Sequence, residues 1–405
     1  MQVNNPIQGS DHILTEVRGC AGMITLNRPK ALNALSLPMV RDITAALLEW
    51  KSSPAIKLVA MRGMGKNPAH AADSALPAYA PFGSFCAGGD IRFFHQAALS
   101  GDPALEDFFT EEYALNHLIH TYPKPTIAFM DGIVMGGGMG ISQGASHRIV
   151  TERTKMAMPE TGIGLFPDVG GGYFLSRCPG RVGEYLALTG QLIQADDAVT
   201  HGLADVHCAS ADLPALWAAL PQLLDAGVET NTQAAAEANL AAVGKLIAMN
   251  RVASSPAIPW AIANNRLKID AIFSLPSVAE MCTALDADAD ADASPWATET
   301  VATLRKRSPL MLHVVLELIR RARSMGLADD LRLERDLVRH CFHTAHLQRA
   351  GLGSETVEGI RALAVDKDHA PRWNPARIED VTAAMVEPFF KSPWPVNAHP
   401  LRGLV

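Results

Sequence analysis

Short apolar runs that lead into glycine-rich chain recur along the first half of this sequence, and they limit its fold more than any other feature. Residues 56–61 form one such run, residues 125–131 repeat it, and residues 148–151 form a shorter one. Each run is short enough to be a buried strand, and a helical pattern follows. Alternating strands and helices usually form a largely parallel sheet with buried strands. We therefore predict an α/β fold.

The pattern of elements changes along the chain. Residues 12–27 are typical of a hairpin, because two apolar strands flank a glycine-containing turn. Ser36 then predicts the start of a helix. From about residue 209 only helical patterns remain, and residues 311–323 are strongly amphipathic. We predict a core over residues 1–208 that contains the site, and a mainly helical region over residues 209–405.

Charge and leader signals exclude several classes of protein. Lys and Arg total 35 against 42 Asp and Glu, giving a net charge of −7, which argues against nucleic acid as a partner. The first residues show neither the apolar region of a secretory signal nor an Arg-rich presequence. There is no run of about 18 apolar residues, so we expect no membrane span. The six cysteines show no C-x-x-C spacing, which favours a reduced, cytoplasmic protein without a zinc site.

Two segments stand apart from these patterns. Residues 63–84 form a long stretch rich in Gly, Ala and Pro, and such loops usually have a function or are mobile. Residues 285–295 carry alternating aspartates. A calcium loop needs Gly and Glu at its sixth and twelfth positions, but Ala291 and Ala297 stand there. We therefore predict a solvated linker over residues 285–295.

Three glycine-rich segments carry the strongest functional signal: residues 85–91, 131–140 and 158–172. The second segment follows a strand and precedes a helical stretch, so its N–H groups lie at the positive end of a helix dipole. If the Gly89 and Gly137 amides face each other, they can bind one carbonyl oxygen. Tight packing turns without a ligand are the alternative. A Rossmann motif is excluded because the glycines lie too far along the chain.

Two acidic residues lie eight positions apart in the third segment. Glu160 and Asp168 stand among apolar side chains, where poor solvation raises a carboxyl pKa and suits acid and base chemistry. The alternative is a pair of loop carboxylates that accept backbone hydrogen bonds. The residues alone leave both interpretations open.

Taken together, the segments resemble the crotonase, or enoyl-CoA hydratase/isomerase, superfamily. The similarity rests on Ile24–Pro29 and Leu32–Leu35 as the first motif, Ala87–Asp90 as the A-G-x-D loop, Gly136–Gly138 as the second oxyanion loop and Gly202–Val206 as the closing segment. The resemblance implies a crotonase-like spiral of ββα repeats, here followed by a C-terminal helical region.

Departures from that family indicate a subfamily. Hydratases have a catalytic Glu three residues after the central loop glycine, and Gly140 stands there. Residues 160–172 instead resemble the 3-hydroxyisobutyryl-CoA hydrolase subfamily. The similarity to that subfamily continues through residues 358–362, 366–368 and 371–373, which lie beyond the point where ordinary hydratases end. The resemblance therefore implies thioester hydrolysis of a short 3-hydroxyacyl-CoA in valine breakdown. A hydratase or isomerase, a decarboxylase and a non-catalytic member of the fold remain as alternatives.

The resemblance also implies roles for single residues. Gly89 and Gly137 would donate amide hydrogen bonds to the thioester oxygen, and Glu160 and Asp168 would be the active carboxylates. Glu112 resembles a further residue that contacts substrate. The remaining candidates for substrate binding are Gly88, Asp90, Arg28, Lys30 and Arg92.

The same resemblance sets expectations for cofactors and assembly. Coenzyme A enters as part of the substrate, and we expect no permanently bound cofactor or metal. Members of this superfamily commonly form trimers, sometimes stacked into hexamers. A homo-oligomer is therefore expected, unless the extended C-terminal region folds back over the core.

Overall fold

The structure is a computed structural model that describes residues 10–66, 81–224, 233–252, 261–292 and 294–405. The chain forms two compact units, each built from separate stretches. We call residues 1–89, 115–156 and 193–255 the sheet unit. Residues 90–114, 157–192 and 256–405 form the helical unit. The division at residue 208, which follows sequence order, stays a prediction.

Eight strands are present in the described residues. They are β1 (Ile13–Arg18), β2 (Ala21–Leu26), β3 (Leu58–Gly63), β4 (Thr126–Met130), β5 (Ile133–Met135), β6 (His147–Val150), β7 (Lys155–Ala157) and β8 (Val206–His207). Six of them form one sheet in the order β1-β2-β3-β4-β6-β8, and β5 pairs with β7. β1 and β2 are antiparallel, while the pairs from β2 to β8 are parallel. The predicted hairpin and the largely parallel sheet are confirmed.

Sixteen α-helices are present in the same residues. They are α1 (Leu37–Ser52), α2 (Ile91–Ser100), α3 (Ala104–His120), α4 (Gly137–Gln143), α5 (Gly171–Ser176), α6 (Val182–Thr189), α7 (Ala195–Thr200), α8 (Leu213–Ala219), α9 (Gln233–Met249), α10 (Ala261–Ile272), α11 (Val278–Asp292), α12 (Pro295–Lys306), α13 (Pro309–Ala322), α14 (Leu327–Phe342), α15 (Glu355–Ile360) and α16 (Ala383–Val386). The predicted helices after Ser36 and over residues 311–323 correspond to α1 and α13. The helical character predicted beyond residue 209 is confirmed.

The sheet unit has a core between the sheet and helices α8 and α9. Every residue of β2, β3 and β4 is buried. Phe129 on β4 packs edge-on against Trp217 of α8, with ring centroids 5.4 Å apart. Val243 and Ile247 of α9 belong to the same apolar cluster. This packing fixes the carboxyl end of β4, where the second glycine-rich segment begins.

The helical unit is organised around α13, which packs against α5 and α6. Ser308 caps α13 by accepting a hydrogen bond from the Met311 amide, and Pro309 occupies the first turn. Ten of the fourteen residues of α13 are buried, so this helix is a central element of the unit.

The prediction of a solvated linker over residues 285–295 is wrong for most of that stretch. Residues 278–292 form α11. Its aspartates pair with cations of neighbouring helices: Asp286 with Arg305 and Asp288 with Lys268. Residues two apart lie on different faces of a helix, so Asp286 and Asp288 reach cations of two different neighbouring helices.

Three further observations bear on the sequence predictions. All six cysteines are free and buried. No helix within the described ranges is long and apolar enough to cross a membrane. Residues 67–80, the larger part of the unusual stretch 63–84, lie outside the described residues.

Candidate active site

The first glycine-rich segment runs alongside β5 in the sheet unit. Cys86 forms a parallel bridge with Val134. Its amide donates to the Ile133 carbonyl at 3.0 Å, and its carbonyl accepts from the Met135 amide at 3.0 Å. Two residues further along the same segment, the Gly88 carbonyl accepts a hydrogen bond from the Leu35 amide at 2.8 Å. These bonds fix residues 87–89 directly beside the start of α4.

The two glycines predicted to donate to the substrate oxygen are Gly89 and Gly137, and each follows a glycine with a positive φ. Gly88 has a φ of +99° and Gly136 a φ of +47°, conformations that glycine adopts without strain. A Cβ placed on Gly88 would lie 3.8 Å from the Gly137 nitrogen, so the two loops approach closely. Gly137 is the first residue of α4, where a helix leaves its N–H groups unused. Among the described residues, neither the Gly89 nor the Gly137 amide has an acceptor.

Close packing of the two loops depends on one further glycine. A Cβ on Gly138 would collide with the carbonyl oxygen of Cys86. Any larger residue at position 138 would therefore push the Cys86 strand away from α4. The sheet unit thus holds two adjacent backbone turns with unused amide donors, which is the arrangement that binds an oxygen gaining negative charge.

Glu160 begins a 3-10 helix, Glu160–Ile163, in the helical unit. Its side chain is 7% exposed, and its Oε2 atom has no hydrogen-bond partner among the described residues. Burial and then repulsion from Asp168 raise the pKa of Glu160 well above its usual value, although the positive charge of Arg307 partly opposes this. A buried carboxyl oxygen without a partner is costly for stability alone.

Asp168 is equally buried, at 6% exposure. Its Oδ2 atom accepts a hydrogen bond from the Tyr113 hydroxyl at 2.8 Å. Burial raises the pKa of Asp168 to about 6, while the Tyr113 hydrogen bond lowers it. Tyr113 lies on α3, and its own pKa is raised, first by burial and then by the Asp168 charge.

Glu112 is the third acid of this cluster. It precedes Tyr113 on α3 and is 2% exposed. Burial, followed by repulsion from Asp168 and Glu160, raises the pKa of Glu112 well above its usual value. Three mutually repelling buried acids favour states in which at least one proton stays in the cluster. We call Glu112, Glu160 and Asp168 the acid cluster.

Neighbouring residues hold the Glu160 turn in place. The Ser308 amide donates to the Thr161 carbonyl at 3.0 Å. Arg307 donates to the Thr189 carbonyl at 3.0 Å through Nε, and Gly162 leaves the space that its guanidinium fills. The cation therefore packs against the turn that carries Glu160, and its charge favours the ionised carboxylate.

The backbone after Asp168 is unusual. Val169 has a φ of +56° and Gly170 a φ of +87°. A positive φ at a β-branched residue is rare and costs about 1–3 kcal/mol. Glu334 of α14, which is fully buried, accepts hydrogen bonds from the amides of Gly170 at 2.7 Å and Gly172 at 3.0 Å.

The three cationic candidates have different surroundings. Arg28 is half-buried and donates to the Ala34 carbonyl at 2.8 Å, so part of its role is local. Lys30 is exposed. Arg92 is exposed on α2 and lines a groove of about 720 Å³ together with His95, Gln96 and Lys367. Arg92 is therefore the candidate with a cavity beside it.

Asp90 has a structural role in addition to any contact with substrate. It is the N-cap of α2 and accepts a hydrogen bond from the Phe93 amide at 3.4 Å. In the part of the chain that the structure describes, no group of three or more His, Cys, Asp or Glu side chains is arranged to hold a metal ion.

The predicted site residues thus form two groups. The glycine amides lie together in the sheet unit, and the acid cluster lies in the helical unit. Sequence reasoning missed Tyr113, Arg307 and Glu334. Tyr113 directly follows Glu112 in the sequence, and this position could have identified it. Arg307 and Glu334 lie far from the motifs.

Comparisons with known proteins found a family model and several similar chains. The family model described as enoyl-CoA hydratase/isomerase matches residues 21–390. A protein of Xenopus tropicalis named "3-hydroxyisobutyryl-CoA hydrolase, mitochondrial" is 37% identical over 389 residues, covering 96% of this chain and 91% of its own length. An Arabidopsis thaliana protein named "3-hydroxyisobutyryl-CoA hydrolase 1" is 36% identical, covering 94% of this chain and 91% of its own.

Two solved structures are similar over nearly the whole chain. A carnitinyl-CoA dehydratase from Mycobacterium thermoresistibile has a TM-score of 0.77 at 34% identity, covering 96% of this chain and 98% of its own. An enoyl-CoA hydratase from Rhodobacter sphaeroides 2.4.1 has a TM-score of 0.76 at 34% identity, covering 95% of this chain and 98% of its own. The predicted crotonase-like fold is thereby confirmed.

Proposed function

Because the chain belongs to the enoyl-CoA hydratase/isomerase family, we propose that it hydrolyses the thioester of 3-hydroxyisobutyryl-CoA, releasing free acid and CoA in valine breakdown. The observation that carries this proposal is the buried, unpartnered Oε2 atom of Glu160 within the acid cluster. Relatives that share over a third of their residues with this chain along almost all of its length are named for that activity.

The two glycine loops carry the groups proposed to bind the thioester oxygen. Attack on the carbonyl carbon moves negative charge to that oxygen. The Gly89 and Gly137 amides would donate hydrogen bonds to it, and the loss of one such donor typically costs about 10²–10³ in rate. Two converging backbone loops, held by hydrogen bonds to each other, provide donors that need no rearrangement during the reaction.

The acid cluster carries the groups proposed to act on the carbonyl carbon. Glu160 either attacks it and forms an anhydride, or removes a proton from a water molecule that attacks. In both routes a C–O bond forms, the C–S bond breaks, and the sulfur leaves with a proton as CoA thiol. In the first route, water then hydrolyses the anhydride, which releases the free acid and regenerates the Glu160 carboxylate. Asp168 orients the water or contacts the substrate hydroxyl, and the proton held in the acid cluster is available to the sulfur. Trapping with hydroxylamine distinguishes the routes, because only an anhydride yields a hydroxamate on Glu160.

Substrate binding requires contacts beyond the thioester. Of the cationic candidates, Arg92 stands beside a groove and is our proposal for a CoA phosphate contact, with Arg28 and Lys30 as further candidates. Glu112, Gly88 and Asp90 remain proposals for contacts nearer the acyl group. Coenzyme A enters only as part of the substrate, and the proposed steps need no resident cofactor.

A hydratase or dehydratase is the second candidate function, since the two similar solved structures carry those names. The resemblance places a second catalytic Glu of hydratases at position 140, and Gly140 has no side chain to move a proton. The lack of a carboxyl group at position 140 therefore favours hydrolysis over hydration. The predicted cytoplasmic location stays a proposal, because the vertebrate relatives are named mitochondrial. A trimer or hexamer is likewise a proposal.

A thiol-trapping assay tests the function directly. Purified protein is offered a panel of acyl-CoA esters, and both free thiol and acyl product are identified. We expect thiol release to be fastest with 3-hydroxyisobutyryl-CoA and the Glu160→Gln variant to release little. Hydration without thiol, carbon dioxide release, or no reaction with any ester would each contradict the proposal.

A further inference from the structure

The turn that follows Asp168 does not hold its shape through local interactions alone. Val169 and Gly170 both have positive φ values, +56° and +87°. Valine rarely adopts this conformation, because its branched side chain meets the backbone. The Gly171 amide donates to the Asp168 carbonyl at 2.7 Å, which closes the turn but leaves the neighbouring amides of Gly170 and Gly172 without local acceptors.

Glu334 satisfies both of these amides. Its Oε2 atom accepts from Gly170 at 2.7 Å and its Oε1 atom from Gly172 at 3.0 Å. The side chain is fully buried on α14, and the two glycines lie 164 and 162 residues earlier in the chain. Because both oxygens are engaged by backbone donors, the geometry suits holding the turn and not contact with substrate.

Asp330, one helical turn before Glu334, extends this contact. Its Oδ2 atom accepts from the Tyr173 amide at 2.7 Å, and a Cβ on Gly172 would collide with its carboxyl group. Both acids are fully buried. Burial raises the pKa of Asp330 to about 6 and, together with repulsion from Asp330, raises that of Glu334. Two adjacent buried acids are a costly way to hold a helix start, where one neutral hydroxyl or amide side chain usually suffices.

We propose that Glu334 is a positioning residue, which fixes the strained turn over residues 168–172 and thereby orients the Asp168 carboxylate for the reaction. The effect passes through the backbone, from the Gly170 and Gly172 amides to the Asp168 side chain held by Tyr113. This inference rests on the proposed function, because it takes Asp168 to be an active carboxylate.

The test compares Glu334→Gln with Glu184→Gln. A glutamine keeps the shape but has a single acceptor oxygen, so one of the two amides faces an NH₂ group and the turn shifts. Glu184 is also fully buried, in α6, and its partners are Arg323 at 2.7 Å and Arg181 at 2.8 Å. The control therefore makes the same chemical change at a buried carboxylate without touching the turn. kcat, KM and the thermal midpoint are measured for each.

For Glu334→Gln we expect kcat to fall at least tenfold while KM stays within about threefold of wild type. For Glu184→Gln we expect a lower thermal midpoint with kcat unchanged. In an Asp168→Asn background, Glu334→Gln is expected to lower kcat no further, because both changes disable the same group. If Glu334→Gln does not fold, Glu334→Asp keeps the charge, shortens the reach and is judged on the same kcat and KM criteria.

Three outcomes would overturn the inference. The first is a Glu334→Gln kcat within about twofold of wild type. The second is a fall in kcat that Glu184→Gln reproduces, which would reveal a purely structural role. The third is an equal further loss in the Asp168→Asn background. A wild-type protein that releases no thiol would instead refute the proposed function, so the two failures are distinguishable.

Discussion

Replacing Asp168 with Asn should remove most of the activity and, at the same time, make the protein more stable. Asp168 is buried, and its pKa is raised from 3.8 to about 6. That difference corresponds to about 3 kcal/mol, by which the ionised carboxylate disfavours the folded state. Asn cannot ionise, and its oxygen can still accept the Tyr113 hydrogen bond. Its neutrality also relieves the repulsion that raises the pKa values of Glu112 and Glu160.

The pH dependence follows from the direction of the shift. A folded-state pKa above the unfolded value means that the folded protein binds the proton more tightly. Below about pH 3.8 Asp168 is protonated in both states, so it does not lower the free energy of unfolding. The cost grows as the pH rises towards 6 and is then constant. Asp168→Asn should therefore stabilise the protein by about 3 kcal/mol at pH 8 and by about half of that at pH 5.

Chemical denaturation at pH 5 and pH 8 measures this difference, and thiol release measures the activity. Asp131→Asn is the matched control, because Asp131 is also buried but accepts hydrogen bonds from Arg153 at 3.0 Å and Thr151 at 2.6 Å. That variant should lose stability at both pH values. An Asp168→Asn protein that is less stable than wild type at pH 8, or equally stabilised at both pH values, would refute the reasoning.

Glu160→Gln should lower kcat by about 10²–10⁴ with KM changed only a few-fold, as steady-state thiol release will measure; near-normal turnover would remove Glu160 from the mechanism. Tyr113→Phe removes the hydrogen bond that lowers the pKa of Asp168, so the acidic limb of the kcat–pH profile should move to higher pH; an unmoved limb would contradict this. Gly138→Ala should reduce kcat at least tenfold, because its methyl group collides with the Cys86 carbonyl. Gly244→Ala, whose methyl group would meet its nearest atom at 3.4 Å, should retain activity, and equal activity of the two variants would argue against the paired glycine loops.

The elements that the sequence predicted well are those specified locally. β2, β3 and β4 are buried along their whole length, so each produces a mostly apolar run. The glycine loops were recognisable because only glycine fits positions such as Gly136 and Gly138. Glu160 and Asp168 stood out as charges in apolar surroundings, and the structure places both in one buried cluster.

Residues that depend on distant contacts were not predictable in this way. Asp330 and Glu334 lie four residues apart in α14, on a helix with many charges, a pattern that ordinarily indicates a solvated face. Both are nevertheless fully buried. The backbone amides that they satisfy lie more than 150 residues earlier in the chain, so the local sequence gives no sign of this burial. The aspartates of α11 misled for the same reason: their cationic partners, Arg305 and Lys268, come from other helices.

Burial of all six cysteines has a practical meaning because the product of the proposed reaction is itself a thiol. Burial raises the pKa of Cys208 and of Cys282 to about 11 and that of Cys341 further still, so few thiolates form at neutral pH. Oxidised CoA disulfide would find little to exchange with on the folded chain. The CoA thiol of the proposed reaction should therefore not cap the folded protein in air, and a colorimetric thiol reagent should register turnover over a low protein background.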